Sequence, residues 1–172
     1  ILETKIDYSK KIIDEEFLEK NNFKKIVDET KEPIVELFNS NDKNDKTDFL
    51  IICYGGVVKE VIDAAINLFV EEELTSKIIV PHKINPIENV LKNKIISNKF
   101  NKLVFVEENT TLNSWGSLVI SSFVDSNIEN LDFLSKVILL GSKSELISAN
   151  FEEENSNLID SKKIFSKLVQ SV

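Results

Sequence analysis

Four short apolar runs punctuate the chain: Phe49-Leu-Ile-Ile-Cys53, Ile78-Ile-Val80, Leu103-Val-Phe-Val106 and Val137-Ile-Leu-Leu140. Each is continuous rather than alternating and too short for an ordinary helix, the pattern of a strand buried on both faces. Between the runs, apolar positions recur at helical spacing. Val58, Val61, Ile62, Ala65 and Phe69 share one side of a helix, with Lys59, Glu60, Asp63 and Asn67 opposite. Ile87, Val90, Leu91, Ile95 and Ile96 give a second helix its face, with Pro86 in its first turn. Leu118, Val119, Ile120 and Phe123 mark a third, capped by Asn113 or Ser114. Ile164, Phe165, Leu168 and Val169 mark the last, capped by Ser161. Strands joined through helices run parallel, so the pattern predicts an α/β sheet of four parallel strands covered on both sides.

The remaining stretches divide the chain. Residues 1–38 are charge-dense, with a thin apolar set at Ile6, Ile13, Phe17, Ile26 and Val27. Part of this region reads as helix. Pro33 interrupts it, and Ile34-Val-Glu-Leu-Phe38 reads as a short extended segment. Asn39 to Lys46 has nothing to bury and reads as a linker. The expected organisation is a charged extension and linker over 1–46, followed by the α/β domain over 47–172.

Composition narrows the function classes. The net charge of −8 works against a nucleic-acid surface, because phosphates repel a carboxylate-rich face. Every basic side chain is Lys and none is Arg, so the residue suited to bidentate anion clamps is missing. The single cysteine, Cys53, lies inside an apolar run, which reads as a buried inert thiol in a reducing, cytoplasmic setting. No window approaches the roughly 18 apolar residues of a membrane span, and the charged first residues do not read as a signal peptide. The chain begins at Ile1 and contains no Met, which leaves fragment and full gene product both open.

Candidate chemistry collects where runs end. Tyr54-Gly55-Gly56 follows the first strand and opens a helix, an arrangement that can receive an anion. It lacks the spacing of either phosphate-loop motif, so a tight structural turn is the competing reading. His82, the only histidine, stands just past the second strand, where open α/β sheets place ligands. A general acid or base is one reading and a surface or interface residue the other. Glu107 and Glu108 end the third strand, and neighbours on a strand face opposite ways. Trp115-Gly116 opens a helix, and Trp suits either an interface anchor or core packing. No zinc or calcium ligand pattern occurs.

These landmarks carry a family likeness. From about Asp48 to Val172 the chain resembles the C-terminal domain of transketolase-like thiamine enzymes, nearest to the β subunit of 2-oxoacid dehydrogenase E1 components. The likeness rests on Ile51-Ile-Cys-Tyr-Gly-Gly-Val-Val-Lys-Glu-Val-Ile-Asp-Ala-Ala65, Val80-Pro-His-Lys-Ile-Asn-Pro-Ile-Glu88, Val104-Phe-Val-Glu-Glu108, Asn113-Ser-Trp-Gly-Ser117 and Gly141-Ser-Lys-Ser-Glu-Leu-Ile147 in that order. His82 stands where the family carries Arg, Asn113-Ser114 where it carries a Gly pair, and Leu146 where it carries Pro.

The resemblance implies a three-layer α/β/α domain with a mixed, mostly parallel sheet of about five strands. It also implies a non-catalytic assembly role in a transketolase or 2-oxoacid dehydrogenase E1-type enzyme. Thiamine diphosphate and magnesium would be held by partner PP and Pyr domains, with none bound by this chain alone. Expected partners are a second copy, those domains or an acyltransferase core. Tyr54, Gly55, Gly56, His82, Glu108, Trp115 and Gly116 are then expected to face an interface or ligand, with no catalytic residue among them. The alternative is a standalone small-ligand or anion-binding module built on the Gly55-Gly56 turn and the helix N-terminus behind it.

Overall fold

The computed structural model describes residues 13–28, 34–39, 46–87, 89–112, 114–124, 132–142 and 157–172. Asn113, the linker residues 40–45, Ile6, Pro33 and the segment 143–147 lie outside them. The described elements are α1 (Glu15–Lys20), β1 (Phe23–Asp28), β2 (Ile34–Asn39), β3 (Lys46–Cys53), α2 (Val57–Glu72), β4 (Ser76–Pro81), α3 (Asn89–Ser97), β5 (Lys99–Thr110), α4 (Trp115–Val124), a 3-10 turn (Asp132–Lys136), β6 (Val137–Ser142) and α5 (Ser161–Val169).

The strands form one six-stranded sheet in the order β1-β2-β4-β3-β5-β6. The four apolar runs are its parallel part, β4-β3-β5-β6. Each is continuous in sequence because alternate side chains enter different layers. Phe49, Ile51, Cys53, Ile78, Val104 and Val106 pack with α2 and α5, whereas Leu50, Ile52, Ile79, Leu103 and Phe105 pack with α3 and α4. The result is the expected α/β/α sandwich, with one strand more than expected.

The added strands come from the N-terminal part. β1 and β2 pair antiparallel, and β2 continues antiparallel onto β4. Ile34-to-Phe38 was readable as extended; β1 was not. Residues 23–28 lie on the sheet edge, so Ile26 and Val27 stay exposed while Leu18 and Phe23 enter the same core as Phe49. Within the segment read as extension and linker, β1 and β2 therefore belong to the sheet, with α1 preceding them.

Helix faces differ from expectation at single positions. Ile95 and Val119 are buried, but their neighbours Ile96 and Leu118 are 50% and 58% exposed. Successive helical residues point about 100° apart, so one of each apolar pair faces the core. Asp160, not Ser161, caps α5: its side chain accepts the Lys163 N–H at 2.8 Å. Pro86 precedes α3 rather than opening it, and the Asn85–Pro86 peptide is cis.

A charge cluster ties the added hairpin to the sandwich. Glu36, buried on β2, pairs with Lys94 of α3 at 2.6 Å and Lys77 of β4 at 3.1 Å. Burial alone would raise its pKa, but hydrogen bonds and attraction from the two ammonium groups outweigh that and hold it below the usual carboxylate range. A depressed folded-state pKa gives stability that is present above the unfolded value and lost as pH falls through the folded one. Glu36→Gln is therefore expected to cost about 1–2 kcal/mol at neutral pH, a figure kept low because both lysines remain partly in solvent. The difference from wild type should close as pH drops below about 4. Urea unfolding of both proteins across that range checks it, and a pH-independent difference would count against the ion cluster.

Candidate functional site

β3 and β5 are adjacent, yet the connections leaving them use opposite faces of the sheet: α2 follows β3, and α4 follows β5. Their carboxyl ends therefore flank the switch point at which open α/β sheets hold ligands. Tyr54-Gly55-Gly56 leaves β3 there. Gly55 takes φ +70°, a left-handed conformation that glycine adopts without steric cost, and Gly56 precedes the first turn of α2. Val57 and Val58, which open that turn, are buried, whereas Lys59 is exposed.

The centre of the site is Glu107, only 3% exposed. It lies two residues beyond Phe105 on β5 and so shares its face, toward α4. One carboxylate oxygen accepts the Trp115 N–H at 2.9 Å and the Tyr54 hydroxyl at 3.0 Å; the other accepts the Gly116 N–H at 2.8 Å. Ser114 completes the cap, its hydroxyl accepting the Ser117 N–H at 3.2 Å and its carbonyl the Leu118 N–H at 3.3 Å. The N–H groups of Trp115, Gly116 and Ser117, three of the orphan donors at the start of α4, thus have protein acceptors, and the Leu118 N–H begins the intrahelical ladder. A negative side chain also suits this positive helix end.

Aromatic packing closes the site from above. The Tyr54 and Trp115 rings meet edge-to-face at 5.2 Å, and Phe105 meets Trp115 at 6.2 Å. The Trp115 indole N–H donates to the Ile84 carbonyl at 2.6 Å, which fastens the segment after β4 to the same cluster. Burial first, then the Glu107 carboxylate, pushes the Tyr54 pKa above the ordinary phenol range, so its hydroxyl remains a donor. Gly116 is required by proximity: a Cβ there would fall 2.7 Å from the Phe105 Cβ and 2.8 Å from its Cγ. α4 can approach β5 closely enough to reach Glu107 only because that Cβ is absent.

Of the residues singled out in the sequence, Tyr54, Trp115 and Gly116 converge, with the Gly55-Gly56 turn directly after Tyr54. Glu108 does not join them. It follows Glu107 on the strand and is partly exposed, and its carbonyl accepts the Ser142 hydroxyl at 2.5 Å. His82 stands exposed beyond Pro81. The residue that sequence reasoning underweighted is Glu107. Its signal was its two-residue spacing from Phe105, which aims a charge at a helix start rather than at solvent. Cys53, at the end of β3, is fully buried, and burial pushes its thiol pKa up, away from nucleophilic use. Among the described residues no group of three or more His, Cys, Asp or Glu side chains could hold a metal ion, and no helix is long and apolar enough to cross a membrane.

No protein-family model matches the chain, and no curated protein matches it. Solved structures do. A 2-oxoglutarate:ferredoxin oxidoreductase from Magnetococcus marinus, with 2-oxoglutarate, coenzyme A and succinyl-CoA bound, matches with a TM-score of 0.50 and 15% identity over 80% of this chain. A split-gene transketolase, an inactive β4 tetramer, matches with a TM-score of 0.53 and 14% identity over 73% of this chain. The chain spans only 19% and 38% of those proteins, respectively. At such identities the likeness concerns the fold. The sheet order, the two helical layers and these neighbours together identify the architecture as the α/β fold of a transketolase-like C-terminal domain.

Proposed function

We propose that this chain is a non-catalytic assembly domain of a thiamine-diphosphate-dependent enzyme of the transketolase or 2-oxoacid dehydrogenase E1 type. In this reading PP and Pyr domains on partner polypeptides hold thiamine diphosphate and magnesium, and this chain supplies a rigid surface for their association. The observation that carries the proposal is the occupied N-terminus of α4 at the switch point. Where a ligand-binding α/β domain leaves helix N–H groups for an anion, Glu107 already occupies them at α4, and Tyr54 and Trp115 roof the carboxylate. The α4 N–H groups that could be aimed at a substrate are instead bound to Glu107 of β5, with Tyr54 joined to the same carboxylate.

The neighbours favour the same reading. The split-gene transketolase chain that shares this fold is an inactive β4 tetramer. The buried thiol of Cys53 fits a reducing compartment such as the cytoplasm. The residues fixed at the strand ends, Tyr54, Gly55, Gly56, Trp115 and Gly116, support the interface from beneath. His82, Glu108 and the partly exposed Ile84 form its outer surface.

Activity of the isolated chain tests the non-catalytic part. With thiamine diphosphate and magnesium supplied, the purified chain is expected to release no carbon dioxide from pyruvate or 2-oxoglutarate and to transfer no ketol group from a ketose phosphate. Turnover of any of these substrates by the chain alone would refute the proposal.

A further inference from the structure

The segment leaving β4 is exposed over five consecutive residues, His82 to Pro86. It runs from Pro81, which is buried, to Ile87, which packs on the core shared by α3 and α4. It belongs neither to β4 nor to α3. A stretch outside helix and strand takes its conformation from the ties at its ends and from the side chains that grip it.

One such grip falls at its midpoint. Ile84 is the central residue of the five, and its carbonyl accepts the Trp115 indole N–H at 2.6 Å. Trp115 is itself held from three sides. Its backbone N–H is bound by Glu107 at 2.9 Å, and its ring stands edge-to-face against Tyr54 and Phe105. A ring fixed in this way has little rotamer freedom left to lose when it takes hold of the segment. The indole offers one donor and no acceptor, so it holds its partner in one direction. Trp115 is 9% exposed and Ile84 37%, so the bond runs from the core to the surface.

We propose that Trp115 is a latch: its indole N–H holds residues 82–86 in place, and loss of that one bond lets the segment open while the rest of the domain stays folded. The inference rests on the assembly reading in one respect, that His82 and Ile84 belong to the surface a partner meets. Trp115 is then a positioning residue for that surface. The latch itself needs no partner, so its failure and the failure of the assembly reading are told apart.

Limited digestion of the purified chain by a lysine-specific endoprotease, under native conditions, tests this. Lys83 lies inside the segment, whereas Lys102 lies within β5 and is paired with β3, so cleavage after Lys102 requires the sheet to open. Cleavage at a protected site tracks the population of its open form. Trp115→Phe keeps an aromatic ring but lacks the N–H. Its ratio of cleavage after Lys83 to cleavage after Lys102 is expected to rise roughly three- to tenfold, the range for one lost hydrogen bond. Benzothienylalanine at position 115, which has the shape of tryptophan with sulfur in place of N–H, should give the same rise with the packing preserved. Tyr54→Phe removes a hydroxyl from the same cluster and leaves the indole bond, so its ratio should match wild type. If Trp115 only supports the core, both cleavages speed up together and the ratio stays put. That result overturns the proposal, as does an equal rise in Tyr54→Phe.

Discussion

Removing residues 1–46 is expected to abolish cooperative folding. The truncated chain, 47–172, keeps all four apolar runs and the helices between them. It loses Leu18, Phe23, Ile34 and Leu37, which are between 0% and 3% exposed and lie in the two cores on either side of the sheet. Burying one such side chain contributes about 1.5–3 kcal/mol, so four together approach the whole net stability of an ordinary domain, about 5–15 kcal/mol. Truncation also strips β2 from β4, leaving the Ser76–Pro81 strand as a bare apolar edge, a template for aggregation. Glu36 leaves with β2, so Lys77 and Lys94 lose their shared counterion. Near-UV circular dichroism and thermal unfolding of 47–172 against the full chain test this. A truncated chain that melts cooperatively within a few degrees of the full one would show that the hairpin is an appendage after all.

Glu107→Ala is expected to destabilise the fold by about 3–4 kcal/mol, which for a chain of this size lowers the melting temperature by roughly 10 °C. The substitution leaves the Trp115 and Gly116 N–H groups and the Tyr54 hydroxyl without their acceptor at a buried site. An unsatisfied buried donor costs about 1–3 kcal/mol, and water entering the new space recovers part of the sum. Glu107→Gln should fall between, because its amide nitrogen turns a donor toward donors. Glu108→Ala, on the opposite side of the strand, should cost less than about 1 kcal/mol. Trp115 is the only tryptophan, so its fluorescence reports the change directly during denaturant unfolding. Equal losses from Glu107→Ala and Glu108→Ala would contradict the role assigned to the buried carboxylate.

How far the sequence foretold this differs by region, for physical reasons. A strand buried on both faces must be apolar at every position, so Phe49–Cys53 and Leu103–Val106 were unmistakable. An edge strand has no such requirement. β1 carries Lys24 and Lys25 and leaves Ile26 and Val27 in solvent, so its composition resembles that of any charged surface segment. Only its pairing with β2 distinguishes it, and pairing is not a local property. Glu36 was hidden for the same reason: a Glu inside an extended segment reads as solvated until Lys77 and Lys94 arrive from elsewhere in the chain.

The candidate site was half legible. Tyr54, the Gly55-Gly56 turn and Trp115-Gly116 stood out because strand-to-helix corners need special residues. Their convergence on Glu107 did not stand out. It depends on β5 lying beside β3 and on α4 folding back over Phe105, which Gly116 permits. The two adjacent glutamates were indistinguishable until the strand's pleat separated them, one toward α4 and one away.

Association is the most direct test of the assembly role. Sedimentation equilibrium can be run on the purified 172-residue chain, alone and mixed with a PP–Pyr polypeptide from the same source. The account predicts a homodimer or larger species for the chain alone, or a stable complex in the mixture, with thiamine-dependent turnover appearing only when both polypeptides are present. A chain that remains monomeric at every concentration, and sediments unchanged beside the PP–Pyr polypeptide, would contradict it.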